Sequence, residues 1–131
     1  MMDYKTYLYD FDSRLVLRVQ KDTLNIPRNH GGVGDNDYIF SFQHVVLPIA
    51  SEFGPDLTII SAGFDAARGD LSGCCDVTPD GYAQMTHILN ALSGGKLLVI
   101  LKGGYNLRSI SSSATAVVKV IPFATLFDVW W

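Results

Sequence analysis

A chain of 131 residues sits near the commonest domain size and leaves room for one domain. Apolar residues make up 48% and charged ones 18%, which is ample for a buried core and excludes a disordered tail. The net charge of −3 supplies no basic field to draw in nucleic acid.

The first residues, MMDYKTYLYDFDSR, are acidic and lack the apolar stretch of a signal peptide. SRLVLRVQ alternates enough for a strand, and TLNIP, closed by Pro27, reads as another. RNHGGVGDND is a loop rich in glycine and turn formers. From Asp37 the period changes. Tyr38, Phe42, Val45, Val46 and Ile49 recur at three- and four-residue steps, which predicts a helix with Asp35 or Asn36 as N-cap and Pro48 kinking its last turn. GPD breaks the helix, and LTIIS (57–61) reads as a short buried strand.

A polar, glycine-containing loop from Gly63 to Val77 follows. Within it, Cys74 and Cys75 are adjacent, closer than ordinary disulfide geometry allows, and are not spaced for zinc; they are read as reduced thiols of an intracellular protein. Thr78 as N-cap, Pro79 at the first helical position and Asp80 in the first turn mark a second helix, stopped by Gly94 and Gly95. KLLVILK is continuously apolar, as a buried strand of a parallel sheet should be, and is far shorter than the roughly 20 residues a bilayer crossing needs. A third helix covers about residues 109–120. Strand, loop and helix repeated twice define a parallel α/β sheet, and such sheets bind ligands at the carboxyl ends of their strands. No G-x-G-x-x-G follows a strand and no G-x-S-x-G elbow is present, which argues against dinucleotide binding and serine hydrolysis.

Two loops leave strands at that end, AGFDAARGD and KGGYNL. Asp65 in the first can ligate a metal, cap a helix or anchor a loop; Asp70 reads as a loop-fixing carboxylate in preference to a ligand. Tyr105 follows Gly103 and Gly104, a pair that lets the backbone turn tightly and approach a bound group. Its phenol either packs partly buried or hydrogen-bonds a developing oxyanion. His44 and His87 fall on helices and His30 in the glycine loop, none in a local zinc pair. Arg68 and Arg108 read as surface cations.

Taken together, NIPRNHGGVGDNDYIFSFQHVVLPIASEFGPDLTIISAGFDAARGD, CCDVTPDGYAQMTHIL and GGKLLVILKGGYNLRSISSSATAVVKV resemble the class II histone deacetylases, and most of all their plant members. The likeness runs in one order over residues 23–121, between divergent segments at 1–22 and 122–131. It implies part of the three-layer arginase/deacetylase fold, an α/β arrangement of a parallel sheet flanked by helices. It further implies that Asp65 corresponds to a zinc ligand and Tyr105 to the phenol that hydrogen-bonds the scissile carbonyl, with Gly103, Gly104 and Ser72 in the loops of the substrate tunnel.

Family members also carry paired histidines and a D-x-H pair upstream of NIP, which supply the other two zinc ligands and the general base; nothing in residues 1–22 resembles that segment. Leu71 stands where the family has proline, Ser72 where it has a tunnel-walling leucine, and Lys102 where it has glutamate or, in other branches, glycine. The resemblance therefore implies a truncated deacetylase domain. The family reaction is zinc-dependent hydrolysis of acetyl-lysine in histones and other proteins, and the isolated chain is expected to be inactive, with Zn2+ binding by it doubtful. The alternatives are a non-catalytic interaction module in deacetylase or transcriptional repression complexes, with co-repressor components as partners, and an unstable fragment. No direct nucleic-acid or membrane contact is expected, and the location implied is the nucleus or cytoplasm.

Overall fold

The structure, a computed structural model, describes residues 6–10, 15–19, 22–27 and 31–122. In chain order these form strands β1 (Thr6–Asp10), β2 (Leu15–Val19) and β3 (Asp22–Ile26), then helix α1 (Asp35–Ser41), a π turn (Phe42–Val46), helix α2 (Leu47–Phe53) and strand β4 (Leu57–Gly63). A 3-10 turn (Phe64–Ala66), helix α3 (Pro79–Leu92), strand β5 (Leu97–Gly103) and helix α4 (Leu107–Val120) complete them. The strands make one sheet in the order β3-β2-β1-β4-β5. Its β1-β4-β5 part is parallel, and β2 and β3 extend it antiparallel at one edge. Two of the expected strands appear as LVLRV (β2) and DTLNI (β3); β1 carries no clear period in the sequence and is fixed by pairing with β4 from Thr6↔Leu57 to Asp10↔Ser61.

The crossovers from β1 to β4 and from β4 to β5 step in the same direction, so right-handed connections carry their helices to one face of the sheet. Ile60 and Ala62 of β4 point into that layer and join Tyr38, Phe42, Val46, Tyr82, Met85, Leu89 and Val117 in one buried cluster. Removing such side chains from water is the main stabilising force, about 1.5–3 kcal/mol for each large one. The expectation of a buried KLLVILK strand is corrected here. Among the described residues β5 forms the sheet edge, and its Leu98 and Ile100 remain 45% and 47% exposed. A continuous apolar run reports two faces built for burial, and only the face toward the helices is covered by described residues.

The first helix also differs from expectation. Its N-cap is Gly34, with Asp37 reaching back to accept from the Gly34 amide at 3.0 Å. Asp35 instead lies in the first turn and accepts from the Thr78 amide and hydroxyl at 2.7 and 2.5 Å, so it ties α1 to the start of α3. Rather than kinking a last turn, Pro48 falls at the start of α2, just after the π turn. The Leu47 amide donates five residues back, to Phe42 O, and this wider turn carries the chain past a residue that cannot continue an ordinary helical ladder. Thr78 caps α3 as its sequence predicts, accepting from the Gly81 amide at 3.1 Å.

Candidate functional site

The site begins where two parallel strands end together. Gly63 of β4 is paired in register with Gly103 of β5, after a shift between Ala62 and Gly63. Two residues beyond each lie Asp65 and Tyr105, so the register brings both sequence candidates to the same end of the sheet.

Asp65 sits in the 3-10 turn, whose flanking residues Phe64 and Ala66 are buried. The turn is held from behind by α3. Tyr82 donates its hydroxyl to Gly63 O at 3.1 Å, and its ring meets Phe64 edge-on with centroids 5.0 Å apart. Burial pushes the Tyr82 phenol well above its ordinary pKa, so it stays a neutral donor. Oδ1 of Asp65 is buried, and a Cβ added at Gly103 would come within 3.1 Å of it. The glycine therefore leaves the space that the carboxylate occupies.

Gly104 adopts a left-handed φ of 119°. A Cβ there would lie 2.8 Å from Ile110 Cγ1 and 3.0 Å from Phe64 Cβ, so the turn admits no side chain. The chain then presents Tyr105, whose side chain is 76% exposed. Of the two readings left open by the sequence, partly buried packing is corrected: the double glycine swings the ring outward rather than into the core.

Asp70 is 4% exposed and fixes loops, as its position suggests. Its Oδ1 accepts from the Ser72 amide at 2.9 Å, and its Oδ2 from the amides of Tyr105 at 2.5 Å and Asn106 at 3.1 Å. Burial is the largest single influence on this carboxyl and pushes its pKa up. The amides of Tyr105, Ser72 and Asn106, with the Ser72 hydroxyl, outweigh it and hold the group below the ordinary carboxylate range. Asn106 returns a bond to Gly69 O at 2.8 Å and caps α4 by accepting from the Arg108 and Ser109 amides. Gly69, Asp70, Ser72, Tyr105 and Asn106 share the wall of an open cavity of about 530 Å³, together with Leu71, Leu107 and Arg108.

The remaining candidates lie apart from this cavity. His44 is exposed, stacked on Phe40 at 4.1 Å with Nδ1 2.9 Å from Phe40 O, and His87 is exposed on α3. His30 and the aromatic tail beyond residue 122 fall outside the described residues. Arg68 is exposed as expected, but it holds Asp76 in a two-pronged ion pair at 2.6 and 2.8 Å. Cys74 is exposed, and Cys75 is buried with its thiol donating to Gly73 O at 3.3 Å. Two supporting residues were not read as such from the sequence, Tyr82 and Asp35. A tyrosine on the apolar stripe of a helix carries a hydroxyl that needs a buried partner, which is the signal that would have marked Tyr82.

Among the described residues no three His, Cys, Asp or Glu side chains gather into a group that could hold a metal ion. Catalytic zinc requires three protein ligands and an open position, so the described residues do not fit that ion as a complete centre. What they offer is a carboxylate and a phenol at adjoining strand ends.

The fold and the two loops define an α/β protein of the arginase/deacetylase type, with a polar site at the carboxyl ends of parallel strands. The chain belongs to the histone deacetylase family: residues 10–121 match the histone deacetylase domain. It is 74% identical over 98 residues to histone deacetylase 15 of Arabidopsis thaliana, covering 75% of this chain and 18% of that protein. It is 57% identical over 99 residues to histone deacetylase HDA1 of Candida albicans, covering 76% of this chain and 12% of that one. The crystal structure of the HDA15 HD domain aligns with a TM-score of 0.74 at 71% identity, covering 78% of this chain and 30% of that chain. The chain thus spans less than a fifth of the length of these two curated relatives. Among the described residues no helix is long and apolar enough to cross a membrane.

Proposed function

We propose that the chain carries the C-terminal part of a class II, plant-like deacetylase domain, with the deacetylase-like unit at residues 23–121 and divergent segments on either side. In this reading Asp65 is one metal-ligating carboxylate of the intact family site, and Tyr105 is the phenol that hydrogen-bonds the substrate carbonyl. Gly103 and Gly104 shape the turn, and Ser72 lines the substrate approach. The intact domain hydrolyses acetyl-lysine in histones or other proteins with zinc, acts within repression complexes, and resides in the nucleus or cytoplasm. The isolated chain does not turn over substrate, because one carboxylate binds zinc weakly and a positioned base is needed to activate water at neutral pH.

The observation that carries this reading is the Gly63↔Gly103 register, which sets Asp65 and Tyr105 two residues past paired strand ends. A deacetylase assay on an acetyl-lysine histone peptide with added zinc tests it. The expected result is no turnover above background from either the chain or its Tyr105→Phe variant. Turnover that disappears in Tyr105→Phe would overturn the inactivity.

A further inference from the structure

Tyr105 is exposed, and its side chain receives no described hydrogen bond that would set its direction, so its orientation must come from its backbone. That backbone is held from the neighbouring loop. Asp70 lies five residues past Asp65, in the segment that follows β4, yet both of its oxygens are engaged across loops: Oδ1 on the Ser72 amide, Oδ2 on Tyr105 and Asn106. Asn106 closes the circuit through Gly69 O, and Ser109 adds a bond from its hydroxyl to Arg68 O at 2.8 Å. One buried carboxylate thus joins the loop after β4, the turn after β5 and the N-terminus of α4.

We propose that Asp70 is the positioning residue of this site: by accepting both amides at the head of α4 it sets where Tyr105 stands, and it makes the 69–72 and 104–106 segments move as one piece. This rests on the reading of Tyr105 as the functional phenol, but the geometry it asserts exists whether or not the chain catalyses anything. Chemistry makes the role specific to a carboxylate. Three amides converge on two oxygens, and an asparagine offers only one accepting oxygen, its other terminus being a donor. Hydrogen bonds from amides to an ionised carboxylate are also about twice as strong as neutral ones.

The test uses the full 131-residue chain labelled with 15N and 13C and reads backbone amides, so it needs no turnover. In Asp70→Asn, hydrogen exchange at Tyr105 and Asn106 is expected to accelerate about tenfold or more, the consequence of losing hydrogen bonds to a charged group. The Tyr105 amide proton should also move upfield, while the amides of β4 keep their protection. Unchanged exchange at Tyr105 and Asn106 overturns the proposal. An equal rise throughout the chain overturns it too, because that reports a general loss of stability. If the variant does not fold, the unsubstituted chain decides: a scalar coupling transmitted across the hydrogen bond from the Tyr105 amide nitrogen to the Asp70 carboxyl carbon is expected, and its absence in folded protein overturns the assignment. A deacetylase assay that contradicts the proposed inactivity leaves these backbone readouts untouched, so the two claims fail separately.

Discussion

Two constraints meet at Gly104: a left-handed φ and an approach to Phe64 and Ile110 that leaves no room for a Cβ. Gly104→Ala should therefore lower stability by about 1–3 kcal/mol, from backbone strain and overpacking together. Urea denaturation would measure it as a lower midpoint at unchanged slope. The residues around that turn were unequally legible. Two glycines before a tyrosine announce a tight turn in any sequence, because so few residues accept φ above zero. The direction in which the phenol leaves is a different matter. It depends on Phe64, which crowds the turn from the 3-10 segment 40 residues earlier, and on Ile110 in the first turn of α4, which is placed there only once that helix packs back. Tyr82 is similar: its helical spacing marks it as core, but the carbonyl that receives its hydroxyl lies 19 residues earlier.

The start of α3 is the element most completely written in its own residues. Thr78, Pro79 and Asp80 fall at the N-cap, the first helical position and the first turn, as local capping chemistry requires. The structure adds a partner, since Asp35 accepts from both the amide and the hydroxyl of Thr78. Thr78→Ala removes the acceptor of the Gly81 amide and the donor to Asp35, and should cost about 1–2 kcal/mol. Combined with Asp35→Ala in a double-mutant cycle, the losses should be less than additive, since both changes remove the Thr78 hydroxyl–Asp35 bond. The segment from Asp35 to Phe53 was less legible. Its apolar period is helical throughout, and periodicity alone does not register the π turn at Phe42–Val46. Pro48 signalled a disturbance, but the ladder yields just before it, across a turn whose Phe42 and Val46 are buried in the core.

For the molecule as a whole, two carboxylates among the described residues link stability to acid. The Arg68 side chain hydrogen-bonds Asp76 and holds it below its ordinary pKa, and the loop amides do the same for Asp70 against the opposing effect of burial. A group whose pKa is lower in the folded state binds fewer protons there than when unfolded. Its contribution is therefore complete above the unfolded value, near 3.8, and is lost as pH falls through the folded one. The melting temperature should hold steady at neutral pH and drop as pH is lowered from about 5 toward 2. The drop should be shallower in Asp76→Asn, although the exposure of that pair keeps its share small. Circular dichroism melts across that range would check both.

The sequence by itself determined the alternation of strand and helix from residue 57 onward, the capping of α3, the two loops at the strand ends and, through the motifs those loops carry, the family. These rest on short-range chemistry, in which turn formers, caps and apolar period act within a few residues and leave their mark in the order of the chain. Only the tertiary structure decided that β1 lies between β2 and β4, that β5 presents Leu98 and Ile100 at an edge of the described sheet, and that Asp70 holds Tyr105 from 35 residues away. Each depends on a register or an approach between segments distant in sequence. Strand pairing and close packing select such contacts collectively, and no single stretch of residues encodes them.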